Sequence, residues 1–204
     1  MRKAAGFGAA LCAPLLLPAA ARAHYGIADG GLISGLMHPV FGLDHLLAMI
    51  CVGVVSVQLG GHNIWRIPVA FVAAMIAGGV AGILRPRLGP LFPVDLGIAA
   101  SVLVLGLAIA VAHRAMSPWP ITAMVLFFGA CHGYAHGLEI PAAVSPALYT
   151  LGFVISTATL HIFGMIIGEI AAMQRWLWTG LRFSGGVVAF IGATFLLQML
   201  QRMA

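Results

Sequence analysis

Charge is what this chain has least of. Asp, Glu, Lys and Arg make up 7% of its 204 residues, against 62% hydrophobic residues, and the mean hydropathy is +1.07. Such a balance excludes an ordinary water-soluble domain and places the chain in a lipid bilayer. Cysteine is nearly as scarce. The three present are Cys12, Cys51 and Cys131, too few and too apolar in setting for a disulfide framework, and the shortage of thiolates argues against a Cu⁺ or Cd²⁺ specialist. No G-x-x-x-x-G-K-[ST] run occurs, which argues against intrinsic ATP-driven pumping. H-E-x-x-H is absent as well, so a zinc-hydrolase helix of the usual pattern is missing.

Much of the positive charge sits at the N-terminus. Arg2 and Lys3 form a basic region, Ala4 to Leu17 an apolar stretch, and Ala21-Arg22-Ala23 an A-x-A cleavage site. These features predict a signal peptide over 1–23 and a mature domain over 24–204. Cleavage removes Arg2, Lys3 and Arg22, taking the formal net charge from +5 to +2. The basic balance is thus a targeting signal, and no nucleic-acid partner is implied.

A bilayer core asks for about 20 apolar residues per helix. Six such stretches follow, at 32–59, 67–84, 94–112, 121–139, 146–172 and 177–200, separated by short Pro/Gly-rich or polar breaks. The predicted fold is an all-α bundle of six transmembrane helices. A cleaved signal sets the mature N-terminus outside, so odd spans run inward and even spans outward. Counting Lys and Arg then places Arg66, Arg114, Arg175 and Arg182 inside, against Arg85, Arg87 and Arg202 outside. That margin barely adds to the orientation, which rests on the signal peptide. Small residues such as Gly78, Gly79, Gly82, Gly185 and Gly186 read as close helix packing. Trp65, Trp119, Trp176 and Trp178 fall at span ends, as an interfacial belt does.

Against this apolar background two polar clusters stand out. His132, His136 and Glu139 lie in F-F-G-A-C-H-G-Y-A-H-G-L-E. At about 100° per residue the three share one helix face, and the two imidazoles are one turn apart, close enough for a single cation. Ionisable groups at membrane depth cost roughly 2.5–3.5 kcal/mol each on insertion scales and mark ion or proton pathways. The second cluster, His38-Pro39-Val40-Phe41-Gly42-Leu43-Asp44-His45, opens the first mature span. In a straight helix His38 and His45 would be about 10 Å apart. Pro39 and Gly42 predict a kink or break that draws His38, Asp44 and His45 together. Asp44 either faces the ion or orients a ligating imidazole from behind. In the predicted topology both clusters face the extracytoplasmic side, which argues for one site or two adjacent ones.

Further candidates are His161 and Glu169, two turns apart in the fifth span and expected near one face, as an inward continuation. His24 would become the mature N-terminus and offer an amine and an imidazole. Asp95 reads as a helix cap or outer-end charge, His62 and His113 as solvated loop residues, and Cys131 as packing. Imidazole and carboxylate donors suit Ni²⁺, Co²⁺ or Zn²⁺ better than Mg²⁺. Spacing does not separate nickel from cobalt or zinc.

At these two clusters the chain resembles the HupE/UreJ family of bacterial nickel and cobalt permeases. The family's H-P-x-x-G-x-D-H is matched by His38, Pro39, Gly42, Asp44 and His45. Its F-H-G-x-A-H-G-x-E is matched by His132, Gly133, Ala135, His136, Gly137 and Glu139, with Cys131 standing where Phe is expected. The resemblance implies a secondary permease of the bacterial inner membrane. Its substrate would be Ni²⁺, or Co²⁺, with no prosthetic group, and uptake would serve urease or hydrogenase maturation. A homo-oligomer is compatible with such a chain. Because imidazoles ligate when neutral, uptake should fall as external pH drops below about 6. Retained uptake at pH 5 with unchanged affinity would count against it. The rival class is an intramembrane zinc-dependent hydrolase, with a water activated on a His/His/carboxylate site. Gly133 stands beside His132 where such an enzyme would carry its base.

Overall fold

The computed structural model describes residues 30–84 and 93–203. The signal-peptide expectation, His24, and the break carrying Arg85 and Arg87 lie outside them. Seven helices follow in order: α1 (Leu32–Phe41), α2 (Leu43–Leu59), α3 (Asn63–Leu84), α4 (Val94–Val111), α5 (Trp119–Glu139), α6 (Pro146–Ala172) and α7 (Arg175–Met203). No strand occurs among the described residues. Helices α3 to α7 are each long and apolar enough to cross a bilayer. The α1–α2 pair, bent by 82°, makes a sixth candidate span. The protein is an all-α, multi-pass membrane protein, and its first span is broken rather than continuous.

The break has a chemical cause. Pro39 lacks an N–H, so it cannot bond the carbonyl one turn before it. Gly42 then leaves the helix, with φ −84° and ψ 109°. Its N–H donates to the His38 carbonyl at 3.2 Å, and its own carbonyl accepts from Leu46 at 2.8 Å. The residue therefore ends one helix and starts the next.

Beyond the break, α2 is the central pole. Ala48, Met49 and every residue from Cys51 to Leu59 are buried, with α1, α3, α4, α6 and α7 around them. A helix apolar on all sides belongs in the middle of a bundle. The outer surface is apolar too: Trp65, Leu84, Leu107, Phe183 and Phe190 are exposed, while His132, Thr157, Ser101 and Gln58 are wholly buried. That distribution suits a lipid surround.

Lipid tails give little hydrophobic drive between helices, so close packing must hold them. Small residues supply it. Along α5, Gly129, Gly133 and Gly137 meet α3 so closely that an added Cβ would strike the carbonyls of Phe71, Met75 and Gly79 in turn. The matched order shows that α3 and α5 run parallel. Gly53 and Gly164 join α2 to α6, also in parallel, while Gly106, Gly185 and Gly192 join α4 to α7 in antiparallel fashion. All three senses fit a chain that crosses alternately six times. Trp65, Trp119 and Trp176 lie exposed near helix ends.

Candidate metal site

The 82° bend turns the His38–His45 segment from a stripe into a cup. Ring centroids of these two histidines are 5.6 Å apart. Into the cup comes α5, rotated by its glycine seam so that His132 and His136 face inward. His136 sits between the other two, 4.4 Å from His38 and 4.6 Å from His45. One ligand nitrogen from each of His38, His45 and His136 lies within 4.8 Å of the others. Tetrahedral ligation at about 2.1 Å brings nitrogens to about 3.4 Å. Small ring rotations would close this group around a cation.

Each imidazole is held differently. His45 Nδ1 lies 2.8 Å from Asp44 Oδ1, so its N–H donates to the carboxylate and the lone pair is left on Nε2. That atom is buried without a hydrogen-bond partner among the described residues. Of the two roles open to Asp44, the geometry shows the orienting one. The same carboxylate oxygen accepts from the His45 backbone N–H at 2.9 Å. His38 Nδ1 is 3.1 Å from the Tyr149 hydroxyl of α6. His132 Nε2 is 3.2 Å from Ser101 Oγ of α4. Neither His136 nitrogen has a hydrogen-bond partner among the described residues. Its Nδ1 is 3.7 Å from Glu139 Oε2, an ion-pair distance too long for a hydrogen bond. The Phe153 ring backs His136 at 4.2 Å.

Exposure falls steadily inward. The side chains of Glu139 and Asp44 are 57% and 39% exposed, while those of His136 and His45 are 5% and 10%. His132, one turn deeper on α5, is fully buried with its ring 4.8 Å from His45. Carboxylates mark the mouth and imidazoles line the interior. Asp95, in the first turn of α4, is exposed at the same end.

Gly42 adds a local requirement. A Cβ there would lie 2.9 Å from His45 Nδ1 and 3.2 Å from Asp44 Oδ1, so a side chain would press on the pair that orients His45. Gly133 and Gly137 serve the neighbouring face of α5, about 100° round from the histidines. Each follows a histidine in sequence and packs on α3, which fixes the histidines' direction.

The sequence expectations need three adjustments. His132 and His136 share a helix face, but the three-nitrogen group takes His136 and passes over His132. The reason is depth, because His132 lies a turn below the cup against Ser101. Glu139 is at the rim rather than within the group. Glu169 is exposed while His161 is buried, so they do not share a face. Eight residues at about 100° each leave them about 80° apart. His62 and His113 are exposed outside the helices, and Cys51 and Cys131 are buried free thiols. Ser101 and Tyr149 were not anticipated. The one available signal was a hydroxyl inside an apolar span.

The fold and this centre define a class: a multi-pass helical membrane protein with a buried polyhistidine cup opening past carboxylates. A profile of the HupE / UreJ protein family matches residues 11–195, and the chain belongs to that family. It is 40% identical over 187 residues to Protein HupE of Rhizobium leguminosarum bv. viciae, covering 90% of this chain and 94% of that one. No solved structure matches it.

Proposed function

We propose that the protein is a secondary permease admitting Ni²⁺, or Co²⁺, across the bacterial inner membrane, in support of urease or hydrogenase maturation. The observation that carries this reading is the group formed by His38, His45 and His136, whose ligand nitrogens lie within 4.8 Å of one another beneath half-exposed carboxylates. Three neutral imidazoles favour a late first-row cation over Mg²⁺ or Ca²⁺. Asp44 and Glu139 offset the ion's charge as water is stripped. On this reading residues 1–23 are a cleaved signal and the cup faces the periplasm. His132 takes the ion one turn further in. Two spare nitrogens on His136 and a wide group suit brief rather than permanent ligation, as passage demands. Family membership supports the choice of nickel or cobalt.

Radiolabelled nickel uptake by intact cells tests the proposal, with cobalt, zinc and magnesium as competitors. Wild-type protein should accumulate nickel, cobalt should compete and magnesium should not. His136→Ala, present in the membrane at normal level, should lower uptake at least tenfold. Undiminished uptake by that variant would sink the proposed site. Metal-dependent hydrolysis of lipid or peptide by the purified protein, without uptake, would instead favour an enzyme.

A further inference from the structure

Helix α6 carries a buried stripe that the site above uses only at its upper end. Tyr149, Phe153, Thr157 and His161 recur every fourth residue, and all four are buried. Tyr149 meets His38 and Phe153 meets His136. Thr157 and His161 lie one and two turns further along, so the stripe spans about 18 Å from Tyr149 to His161. Opposite them on α3, Phe71 and Met75 form a matching pair. Thr157 Oγ1 donates to Met75 Sδ at 3.7 Å, and the Phe71 ring meets His161 at 5.3 Å. The same ring meets His132 at 5.7 Å. Met75 also lines the cleft between α3, α5 and α6 that reaches His136. Met75 and Phe71 thus each touch both levels.

His161 is 1% exposed, and neither ring nitrogen has a hydrogen-bond partner among the described residues. A neutral imidazole carries one donor and one acceptor. Leaving both unmet in an apolar interior is costly for each group. His136 of the upper group shares this condition, with both ring nitrogens unmet among the described residues. We propose that His161, Thr157 and Met75 form a second, deeper station for the transported cation. This rests on the permease reading of the upper group. The imidazole nitrogen suits a late first-row cation, and the thioether sulfur serves Mg²⁺ poorly. No carboxylate takes part, so the station is weaker than the cup above, which favours onward release.

The test pairs nickel uptake by intact cells with equilibrium nickel binding to the purified full-length protein in detergent. His161→Leu keeps the volume and removes the ligand. It should bind nickel at the upper group with affinity within threefold of wild type, yet lower the initial uptake rate at least tenfold. His161→Met, which restores a donor, should recover a substantial part of that rate. Thr157→Val is isosteric and should lower uptake about threefold with binding unchanged; it decides the matter if His161→Leu fails to reach the membrane. Wild-type uptake by His161→Leu, equal rates for the Leu and Met variants, or loss of binding together with uptake would each overturn the second station, and so would wild-type uptake by Thr157→Val. Failure of the upper reading is distinct, because it appears as undiminished uptake by His136→Ala whatever His161 does.

Discussion

The two motifs aim their histidines by opposite means. On α5 the helix is unbroken, and three glycines press its backbone against α3, so the direction of His132 and His136 is set by packing on the adjacent face. At α1–α2 the helix is broken at Gly42, and direction comes from an 82° bend with the Asp44–His45 hydrogen bond. The comparison teaches that similar glycines in two signatures do different work. Those on α5 are needed because a neighbouring backbone is close. Gly42 is needed because neighbouring side chains are.

The difference can be broken experimentally, and the largest effect should come from the seam. Gly133→Val places carbon against the Met75 carbonyl, a backbone atom that cannot step aside. It should destabilise the protein by roughly 1–3 kcal/mol or more, seen as a lower melting temperature in detergent together with lost uptake. A variant of normal stability would show that the seam is looser than described. Next comes Gly42→Ala, whose Cβ meets only side-chain atoms in a conformation alanine adopts. Uptake should fall several-fold while the melting temperature moves little. Equal losses of stability at Gly42 and Gly133 would erase the distinction.

Smaller still is Tyr149→Phe, which removes the hydroxyl near His38 Nδ1. One hydrogen bond is worth about 0.5–1.5 kcal/mol, so nickel affinity should weaken about two- to tenfold in equilibrium binding. The smallest change belongs to Gly180→Ala on α7, where an added Cβ meets nothing within 4 Å. Up to about 1 kcal/mol of stabilisation is expected from helix propensity alone, with uptake unchanged. A marked loss there would reveal a contact on the outer face of α7.

Much of this was legible before any coordinates. The apolar runs marked six crossings because a bilayer demands a minimum length. Pro39 and Gly42 marked the break because each removes a helical constraint in its own way. What could not be read was depth and rotation. His132 and His136 look equivalent along α5, and only the ring contacts with His38 and His45 show that His136 closes the group while His132 sits below it. Glu169 seemed a partner of His161, yet its angular offset turns it outward. Ser101 and Tyr149 escaped notice because a single hydroxyl in an apolar helix carries no spacing signal of its own.

The seam between α3 and α5 has a mechanical consequence. Backbones in contact at three successive turns cannot slide past one another without first separating, so these two helices travel as one plate. His136 and Met75, on different members of that plate, keep a fixed spacing during any motion. The short helix α1 is held to α6 in the same way, for an added Cβ at Gly35 would strike the carbonyl of Tyr149 and one at Gly152 that of Leu32. The cup therefore lies between two packed units, α1 and α2 seamed to α6 on one side and α3 with α5 on the other, so that parting His38 from His136 separates whole units rather than one short helix.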